Sequence, residues 1–304
     1  WWDRENMPSR ALTFLQEIRD AVTTCEKLVL VVGETENMSG EASSRAYLDL
    51  PGAQRALVEA VRAAAGDRPL AVVLMNGRPL AMEWMHDRVP AILEAWYGGV
   101  EMGNAVADVL FGDVNPGGKL PVTFPRTVGQ VPIYYNHRQT GRPAYALNDY
   151  TSKYEDAPWT PLYPFGHGLS YTWFRYGPLR LSALRIAPPD TLAVTVDVTN
   201  AGPRAGDEVV QLYVQDRVAA MTRPVKELRG FRRIHLAPGE TRTVEFRLDA
   251  DDLAYWGPRM RRVVEPGTFV VFVGTSSDRG QGAEFELDTH QGQAVEVPQR
   301  CEGA

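Results

Sequence analysis

The chain has 304 residues, of which 44% are hydrophobic and 23% charged, so it can bury a large core and is not a disordered chain. Its net charge of −6 argues against a nucleic-acid-binding protein, because phosphate contacts require a basic face. No apolar run approaches the roughly 20 residues of a membrane-spanning helix, so no membrane span is expected. At about 150 residues per domain, the length predicts two domains.

The first part of the chain alternates between helical and strand patterns. Ser9 is a candidate N-cap of a first helix, which would carry Ile18 and Val22 on its apolar face. The apolar run at residues 28–32 predicts a parallel strand covered on both faces, and Pro51 predicts the start of a second helix. The apolar face of that helix is predicted to carry Ala56, Leu57, Ala60, Val61 and Ala64.

Two more strands and another helix are predicted further along the chain. The run Leu70–Met75 and residues 91–95 have the length and apolar character of strands. Residues 103–111 are rich in small side chains and predict a helix that stops at Gly112. The order strand, helix, strand, helix is typical of an α/β layered domain.

Residues 115–173 are different, since they are rich in proline, glycine and aromatic side chains and have little periodicity. A long irregular segment is usually functional or packed against a neighbour. The composition allows either an ordinary loop held by its aromatic side chains or a docking surface. For a docking surface, we expect part of residues 134–159 to expose an apolar and aromatic face.

The second part of the chain, from about residue 179 to residue 287, is predicted to be all-β. Short strands are predicted at residues 192–199, 209–214, 226–234, 241–248 and 268–273. Proline–glycine pairs mark turns between them. This pattern predicts a β-sandwich of about 100 residues, followed by a loose polar tail after Asp288.

The candidate chemistry lies after the first predicted strand, because ligands of open α/β sheets bind beyond the carboxyl ends of the strands. The loop at residues 34–48 holds, within twelve residues, the charged side chains Glu34, Glu36, Glu41 and Arg45. A partly desolvated carboxylate could serve acid/base catalysis, whereas a solvated acidic loop would have no chemical role. The composition leaves both open.

Motifs that would indicate a cofactor or another kind of hydrolase are missing from the sequence. No dinucleotide fingerprint follows the first strand, and no serine-hydrolase elbow occurs. Residues 112–119 faintly resemble a phosphate loop and the start of a calcium loop, but they are best interpreted as a helix-to-strand turn. The five histidines are scattered, and Cys25 and Cys301 form no metal motif. We therefore expect no cofactor, no metal and no disulfide framework.

Short motifs follow one another along the chain in a specific order and spacing. They are VVGE at residues 31–34, SGEASSR at 39–45, LMNGRPL at 74–80, AWYGG at 95–99, GNAVADVLFGD at 103–113, PGGKLP at 116–121, YPFGHGLSY at 163–171 and RPVKELRGF at 223–231. Together they resemble the C-terminal part of glycoside hydrolase family 3 β-glucosidases, and within that family the bacterial periplasmic subgroup. The resemblance extends over residues 11–287.

The resemblance implies an α/β sandwich of about six strands in residues 1–178, followed by a fibronectin type III-like domain in residues 179–304. In the family, a catalytic (β/α)8 barrel precedes these domains and supplies the nucleophilic Asp, and no segment of this chain resembles it. The barrel would therefore be in the same polypeptide or in a separate chain. The resemblance also implies a periplasmic or secreted protein, although the chain starts at Trp1 without a signal peptide, and it leaves a homo-oligomer open.

By the same resemblance, Glu41 is the general acid/base of a retaining, exo-acting β-glucosidase that removes terminal β-D-glucosyl residues. Its substrate would be a β-glucoside or an oligosaccharide, and the second carboxylate of the reaction would be the barrel Asp. Glu34 is the rival, but it directly follows the strand, so we expect it to be buried with a structural hydrogen-bonding role. Arg45 is expected either to orient the loop by pairing with a carboxylate or to form a surface ion pair.

Five further residues near predicted strand ends could touch a domain interface or a sugar subsite: Asn76, Gly77, Arg78, Trp96 and Tyr97. For Trp96 and Tyr97 we prefer packing against the barrel. The alternative function is a non-catalytic binding or scaffolding module built from the same two domains, which the missing nucleophile favours for this chain alone. Glu41 favours the enzyme, because a scaffold has no need of it.

Overall fold

The computed structural model describes residues 16–18, 20–289 and 292–298. These residues form two units. One contains the described residues up to Ala107 together with Phe124–Val131, and the other contains Asp108–Thr123 and the chain from Pro132 onward. The domain boundary that the sequence predicts, at residue 178, divides the chain differently from these two units, and it stays a prediction.

The first unit is built on three parallel strands in the order β1-β2-β3. They are β1 (Leu28–Gly33), β2 (Leu70–Met75) and β3 (Ala91–Glu94), which confirms the three strands predicted in this part of the chain. The expectation that β1 is covered on both faces was wrong, because Val29 and Val31 are exposed. The resemblance implied about six strands. The described chain between Gly112 and the strand that begins at Phe174 forms none, because its many prolines and glycines interrupt a ladder. The α/β class is thus confirmed with a smaller sheet.

Helical segments pack on one face of this sheet. Residues 16–18 and 20–24 are helical, and Val22 lies in a cluster with Val61 and Leu70. The predicted cap Ser9 lies outside the described residues. Helix α1 (Gln54–Ala65) buries Val58, Val61 and Ala65. The predicted face was therefore right at Val61 and at Leu57, which packs against the same cluster, and wrong at Ala56 and Ala64, which are exposed. An alanine-rich helix gives little hydrophobic contrast between neighbouring faces, which explains the error.

Two further helices follow, α2 (Glu83–His86) and α3 (Met102–Phe111). Helix α3 ends at Gly112, whose φ of +84° is a conformation that glycine adopts without strain. The predicted helix-to-strand turn was right about the helix and wrong about the strand, since residues 112–119 lead into further turns. Lys119 Nζ lies 3.2 Å from a carboxylate oxygen of Glu208 and donates to Gly168 O, so this lysine is already paired and the phosphate-loop interpretation fails.

The second unit is a β-sandwich. Its elements in chain order are β4 (Phe174–Tyr176), β5 (Arg180–Leu181), β6 (Arg185–Ile186), β7 (Leu192–Asn200), β8 (Gly206–Asp216), β9 (Glu227–Leu236), β10 (Thr241–Leu248), α4 (Ala250–Leu253), β11 (Tyr255–Trp256), β12 (Arg262–Val264), β13 (Gly267–Gly274), β14 (Gly280–Leu287) and β15 (Val295–Glu296). The five predicted strands correspond to β7, β8, β9, β10 and β13 and are confirmed. The prediction missed β14, because its glycines and carboxylates weaken the strand pattern. The expected loose tail after Asp288 was also wrong in part, since β15 pairs with β12 and Val295 packs against the core.

The core of the sandwich lies between two larger sheets. One has the order β6-β14-β13-β8-β9 and the other β10-β7-β4, with β5 also paired to β7. Strand β7 alternates buried and half-buried residues along its length, as expected for a strand with one face in the core. The rings of Phe269 and Phe285 stack with centroids 5.6 Å apart, and Leu236 and Phe246 belong to the same cluster. Burial of the two inner faces therefore stabilises this unit.

The aromatic segment from residue 132 to residue 173 belongs to the second unit. Tyr135 stacks on Phe165 with centroids 4.5 Å apart, and its hydroxyl accepts a hydrogen bond from the backbone N–H of Leu228. Some rings therefore fix the loop. The expected exposure is confirmed for Tyr134, Tyr145, Leu147, Tyr150, Tyr154 and Trp159. That these side chains form one docking face stays a prediction.

None of the described helices is long and apolar enough to cross a membrane. Within the same residues, no group of three or more His, Cys, Asp or Glu side chains could hold a metal ion. Cys25 is an exposed free thiol, and Cys301 lies outside the described residues.

We expect Phe269→Ala to destabilise the sandwich by about 3–5 kcal/mol, because a buried ring would leave a cavity among the core side chains. The matched control is Phe231→Ala on β9, since the Phe231 side chain is 59% exposed whereas Phe269 is 1% exposed. The control should change the free energy of unfolding by less than about 0.5 kcal/mol. Urea unfolding of the two variants measures both values, and equal losses would contradict this core assignment.

Candidate functional site

Three polar side chains meet at one edge of the parallel sheet, because parallel strands all end at the same edge. Glu34 follows β1, Asn76 follows β2, and Glu94 is the last residue of β3. The backbone continues the sheet at this edge, since Glu34 N donates to Met75 O at 2.8 Å and Ala95 N donates to Leu74 O at 2.9 Å. The strand ends therefore hold these three side chains in a fixed arrangement.

Glu34 is a buried carboxylate held by two arginines. Its side chain is 0% exposed, and its Oε1 lies 2.6 Å from Arg45 Nη1 and 3.0 Å from Arg78 Nε. The backbone N–H of Gly77 donates to Oε2 at 3.4 Å. The expectation of a buried Glu34 with a structural role is confirmed, and Arg45 pairs with this carboxylate rather than forming a surface ion pair. A buried carboxylate is tolerated only when it is paired and hydrogen-bonded in this way.

The loop after β1 makes a short turn that carries Glu41. A 3-10 turn at Glu36–Met38 leads into residues 38–43, which we call the Glu41 turn. Gly40 and Ala42 have φ values of +117° and +59°, so Glu41 lies between two unusual backbone conformations. Ser43 Oγ donates to Asn37 O at 3.1 Å, which joins the exit of the turn to its entry.

Arg78 connects the end of β2 to both sides of the Glu41 turn. Its Nη2 donates to Met38 O and, at 2.9 Å, to Ser43 O. Arg45 acts further along the loop, where its Nη2 donates to Asp49 O at 2.9 Å. Both arginines therefore link the buried Glu34 carboxylate to backbone carbonyls of the loop.

Glu41 is exposed at the tip of this loop. Among the described residues, its carboxylate has no hydrogen-bond or ion-pair partner. The two candidate carboxylates are thus separated by the structure: Glu34 is committed to arginines, and Glu41 is accessible to a substrate. The catalytic role of Glu41 stays a prediction.

Gly77 and Tyr97 fill the space beside the Glu41 turn. A Cβ atom on Gly77 would lie 2.2 Å from Ser39 Oγ and 2.7 Å from the Tyr97 ring, so only glycine fits there. The Tyr97 hydroxyl donates to Thr35 O at 2.9 Å. Trp96 is half-buried and packs on Phe124, with ring centroids 5.7 Å apart. Trp96 therefore packs within its own unit, and packing of either aromatic side chain against a barrel stays a prediction.

Asn76 and Glu94 form a second polar layer behind Arg78. Asn76 is fully buried, and its Nδ2 donates to Arg78 O at 2.8 Å and to Glu94 Oε2 at 3.4 Å. Glu94 Oε1 accepts from the backbone N–H of Trp96 at 3.1 Å. Burial raises the pKa of the Glu94 carboxyl to about 7, and the hydrogen bonds from Trp96 and Asn76 oppose this rise only in part.

Glu94 was not predicted from the sequence. The available signal was its position, since a carboxylate at the end of a predicted strand is the same pattern that drew attention to Glu34. Arg78 was predicted only to lie near a strand end, because the two carbonyl groups that it contacts cannot be found from sequence spacing.

We expect Glu94→Gln to stabilise the first unit at pH 8 by about 1–3 kcal/mol and to leave its stability at pH 5 nearly unchanged. The folded-state pKa of about 7 lies above the ordinary value of 4.5, so the folded chain binds this proton more tightly than the unfolded chain. Stability is therefore lost as pH rises from about 4.5 to 7, and glutamine, which does not ionise, removes that loss.

The measurement is the urea midpoint of the first unit at pH 5 and pH 8, followed by hydrogen-exchange protection of the β2 amides. The matched control is Glu59→Gln on α1, where the carboxylate forms surface ion pairs with Arg55 and Arg88. The control should show no such gain on going from pH 5 to pH 8. A Glu94→Gln variant with equal effects at both pH values would contradict the raised pKa.

Two family models match the chain. The model described as the glycosyl hydrolase family 3 C-terminal domain matches residues 7–171, and the model of a fibronectin type III-like domain matches residues 208–277. The first match contains the whole site described above, and the second lies within the β-sandwich.

Similar proteins are considerably longer than this chain. It is 47% identical over 282 residues to a periplasmic beta-glucosidase of Salmonella typhimurium, covering 92% of this chain and 37% of the relative. It is 48% identical over 265 residues to a beta-xylosidase of Formosa agariphila, covering 86% of this chain and 35% of the relative. A solved beta-glucosidase from Listeria innocua in complex with glucose is 40% identical, with a TM-score of 0.85 over 90% of this chain and 38% of that chain. The chain thus spans little more than a third of these proteins.

Proposed function

Since the chain belongs to glycosyl hydrolase family 3, we propose that it supplies the general acid/base of a retaining, exo-acting β-glucosidase. The enzyme would remove terminal β-D-glucosyl residues from β-glucosides or oligosaccharides. A (β/α)8 barrel, in the same polypeptide or in a separate chain, would supply the Asp nucleophile and most contacts to the terminal sugar. The relatives from Salmonella typhimurium and Listeria innocua, both named beta-glucosidases, support this substrate class.

One observation carries the assignment of the acid/base to Glu41. Of the two candidate carboxylates Glu34 and Glu41, Glu34 is buried between Arg45 and Arg78, and protonating it so that it could act as an acid would break both ion pairs. Glu41 is exposed on a turn that other residues hold in place, as a group that must reach a substrate should be. The exposed Glu36 lies in the preceding 3-10 turn, five residues before Glu41 in the sequence.

The proposed reaction has two steps. The barrel Asp attacks the anomeric carbon while the Glu41 carboxylic acid protonates the departing glycosidic oxygen, which leaves a covalent glycosyl-enzyme and a Glu41 carboxylate. That carboxylate then takes a proton from water, and the water oxygen attacks the same carbon to release glucose and free the Asp. Each step returns Glu41 to the state that the other step needs.

The exposed aromatic and apolar side chains of residues 134–159 support a neighbouring domain. We propose that the barrel covers part of this face in the complete enzyme. The name of the Salmonella typhimurium relative supports a periplasmic location for that enzyme.

A β-xylosidase is the second candidate function, because the relative from Formosa agariphila is named a beta-xylosidase and is 48% identical to this chain. Glucose and xylose differ only in the hydroxymethyl group on the sugar ring. The barrel would make most contacts to that ring, so this chain can serve either enzyme with the same acid/base. Paired assays on nitrophenyl β-glucoside and nitrophenyl β-xyloside, with the barrel present, distinguish the two.

We expect the 304-residue chain alone to hydrolyse aryl β-glucosides no faster than background. An acid/base without its nucleophile cannot form the glycosyl-enzyme. A turnover assay on purified chain measures this. Glucose release that a substitution within this chain abolishes would show that the second carboxylate is present here after all.

In the barrel-containing form, we expect Glu41→Gln to lower kcat/KM for substrates with poor leaving groups by roughly 10²–10⁴-fold. Glutamine keeps the shape of the side chain but has no proton to give, and dinitrophenyl β-glucoside should lose much less because its leaving group departs unaided. Azide should then restore turnover of that substrate, since it attacks the glycosyl-enzyme without a general base.

The matched controls for this experiment are Glu36→Gln, an exposed carboxylate of the same loop, and Glu34→Gln. The first should be nearly unchanged. The second should lower stability, because Arg45 and Arg78 lose their common partner, and it should not respond to azide. Azide rescue of Glu34→Gln together with normal activity of Glu41→Gln would overturn the proposal. If Glu41→Gln instead loses activity equally on substrates with good and poor leaving groups, the non-catalytic module is favoured.

A further inference from the structure

We propose that Arg78 is a positioning residue that fixes the direction of the Glu41 side chain by holding both sides of the Glu41 turn. The inference rests on the proposed function, because it gives Arg78 a part in the same reaction. It concerns a residue that touches neither the sugar nor the reacting atoms.

The contacts of the Arg78 guanidinium bracket Glu41 in the sequence. Nη2 donates to the carbonyl of Met38, three residues before Glu41, and to that of Ser43, two residues after it. Nε of the same group pairs with Glu34. One planar, rigid group therefore ties the entry and the exit of the turn to the end of β1, and hydrogen bonds from a charged donor are stronger than neutral ones.

Arg78 is itself held from both ends. Its side chain is 18% exposed and pairs with a fully buried carboxylate, so it has little freedom to move toward water. Its backbone carbonyl accepts from Asn76 Nδ2 at 2.8 Å, and the preceding residue, Gly77, lies against Ser39 without room for a Cβ. Because the Arg78 backbone and its guanidinium are both held, the side chain can fix the turn relative to the end of the sheet.

Arg45 provides the comparison, because it pairs with the same carboxylate but contacts a different part of the loop. Its Nη1 lies 2.6 Å from Glu34, and its Nη2 donates to Asp49 O, beyond the turn. Loss of either arginine leaves Glu34 with one cation fewer. Only the loss of Arg78 also frees Met38 O and Ser43 O.

Position matters for an acid more than for a binding group. Proton transfer requires the donor within about 2.6–3.2 Å of the departing oxygen, and a misplacement of about 1 Å can cost about 100-fold in rate. The cost falls mainly on substrates whose leaving group needs the proton. A loosened Glu41 turn should therefore show a dependence on the leaving group that general loss of folded protein cannot produce.

The test compares Arg78→Met, Arg78→Lys, Arg45→Met and the surface variant Arg88→Met. In the 304-residue chain, a glutamate-specific protease reports the mobility of the turn by its rate of cleavage after Glu41. We expect Arg78→Met to raise that rate about tenfold or more, Arg78→Lys to raise it by less, and Arg45→Met and Arg88→Met to raise it by less than about threefold. Each cleavage rate is corrected for the folded fraction of that variant, which circular dichroism measures.

In the barrel-containing form, the same variants are assayed on an alkyl β-glucoside and on dinitrophenyl β-glucoside. For Arg78→Met we expect kcat/KM to fall about 10–100-fold on the alkyl glucoside and less than about threefold on the activated one. Arg45→Met should lower both by the same factor, and Arg88→Met should change neither.

Unchanged cleavage after Glu41 in Arg78→Met would overturn the inference whatever the activity. Equal losses on the two substrates, with Glu41→Gln still selective for the alkyl glucoside, would overturn it and leave the proposed function intact. A Glu41→Gln variant without that selectivity would overturn the proposed function and the inference with it, even where the protease shows that Arg78 holds the turn.

Discussion

The buried carboxylate of Glu34 is the interaction on which the rest of the candidate site depends. Removing a carboxylate from water costs several kcal/mol, so the charge must be met by cations and hydrogen-bond donors. Arg45 and Arg78 provide the cations, and each reaches a different stretch of the following loop with its remaining donors. The loop cannot move far without uncovering the charge. An exposed catalytic candidate on an irregular segment thereby acquires the rigidity of the sheet edge.

The same edge also explains the pattern of burial around it. Each parallel strand brings one polar residue to this edge, and these inner residues contact one another or the arginines, although Asn76 Oδ1 has no hydrogen-bond partner within the described part of the chain. Glu41, on the loop outside them, is left to solvent. Asn76 and Glu94 form the inner layer, where burial favours the neutral form of the Glu94 acid. The arrangement separates carboxyl groups of one chemical type by environment: Glu34 is paired with two arginines, Glu94 is partly buried with a raised pKa, and Glu41 is accessible. Such separation is what acid/base sites require.

Features of this site that follow from a local sequence pattern could be predicted, whereas contacts between residues far apart in the sequence could not. The strands β1 and β2 were predicted because both are short continuous apolar runs, although only β2 is buried along most of its length. The predicted face of α1 was right at Val61 but included the exposed Ala56 and Ala64 and missed Val58, because alanine gives little hydrophobic contrast between neighbouring faces. Glu34 was correctly expected to be buried, since its position directly after a strand is readable. The contacts of Arg78 were not predictable, because they join carbonyl groups about forty residues away, at Met38 and Ser43, whose meeting depends on the folded path of the loop.

Gly77 has a consequence for the exchange of parts between related proteins. No side chain fits between the Gly77 backbone and Ser39. The loop after β1 and the residues after β2 are therefore closely packed together, although they come from two separate stretches of chain. A designer who transplants residues 35–48 alone would carry over the acidic side chain without the surface against which it is shaped. The transferable unit is therefore discontinuous: it includes the loop, Asn76 to Arg78, and Tyr97, whose hydroxyl supports the start of the loop. Recombination points chosen from sequence motifs one at a time would cut through it.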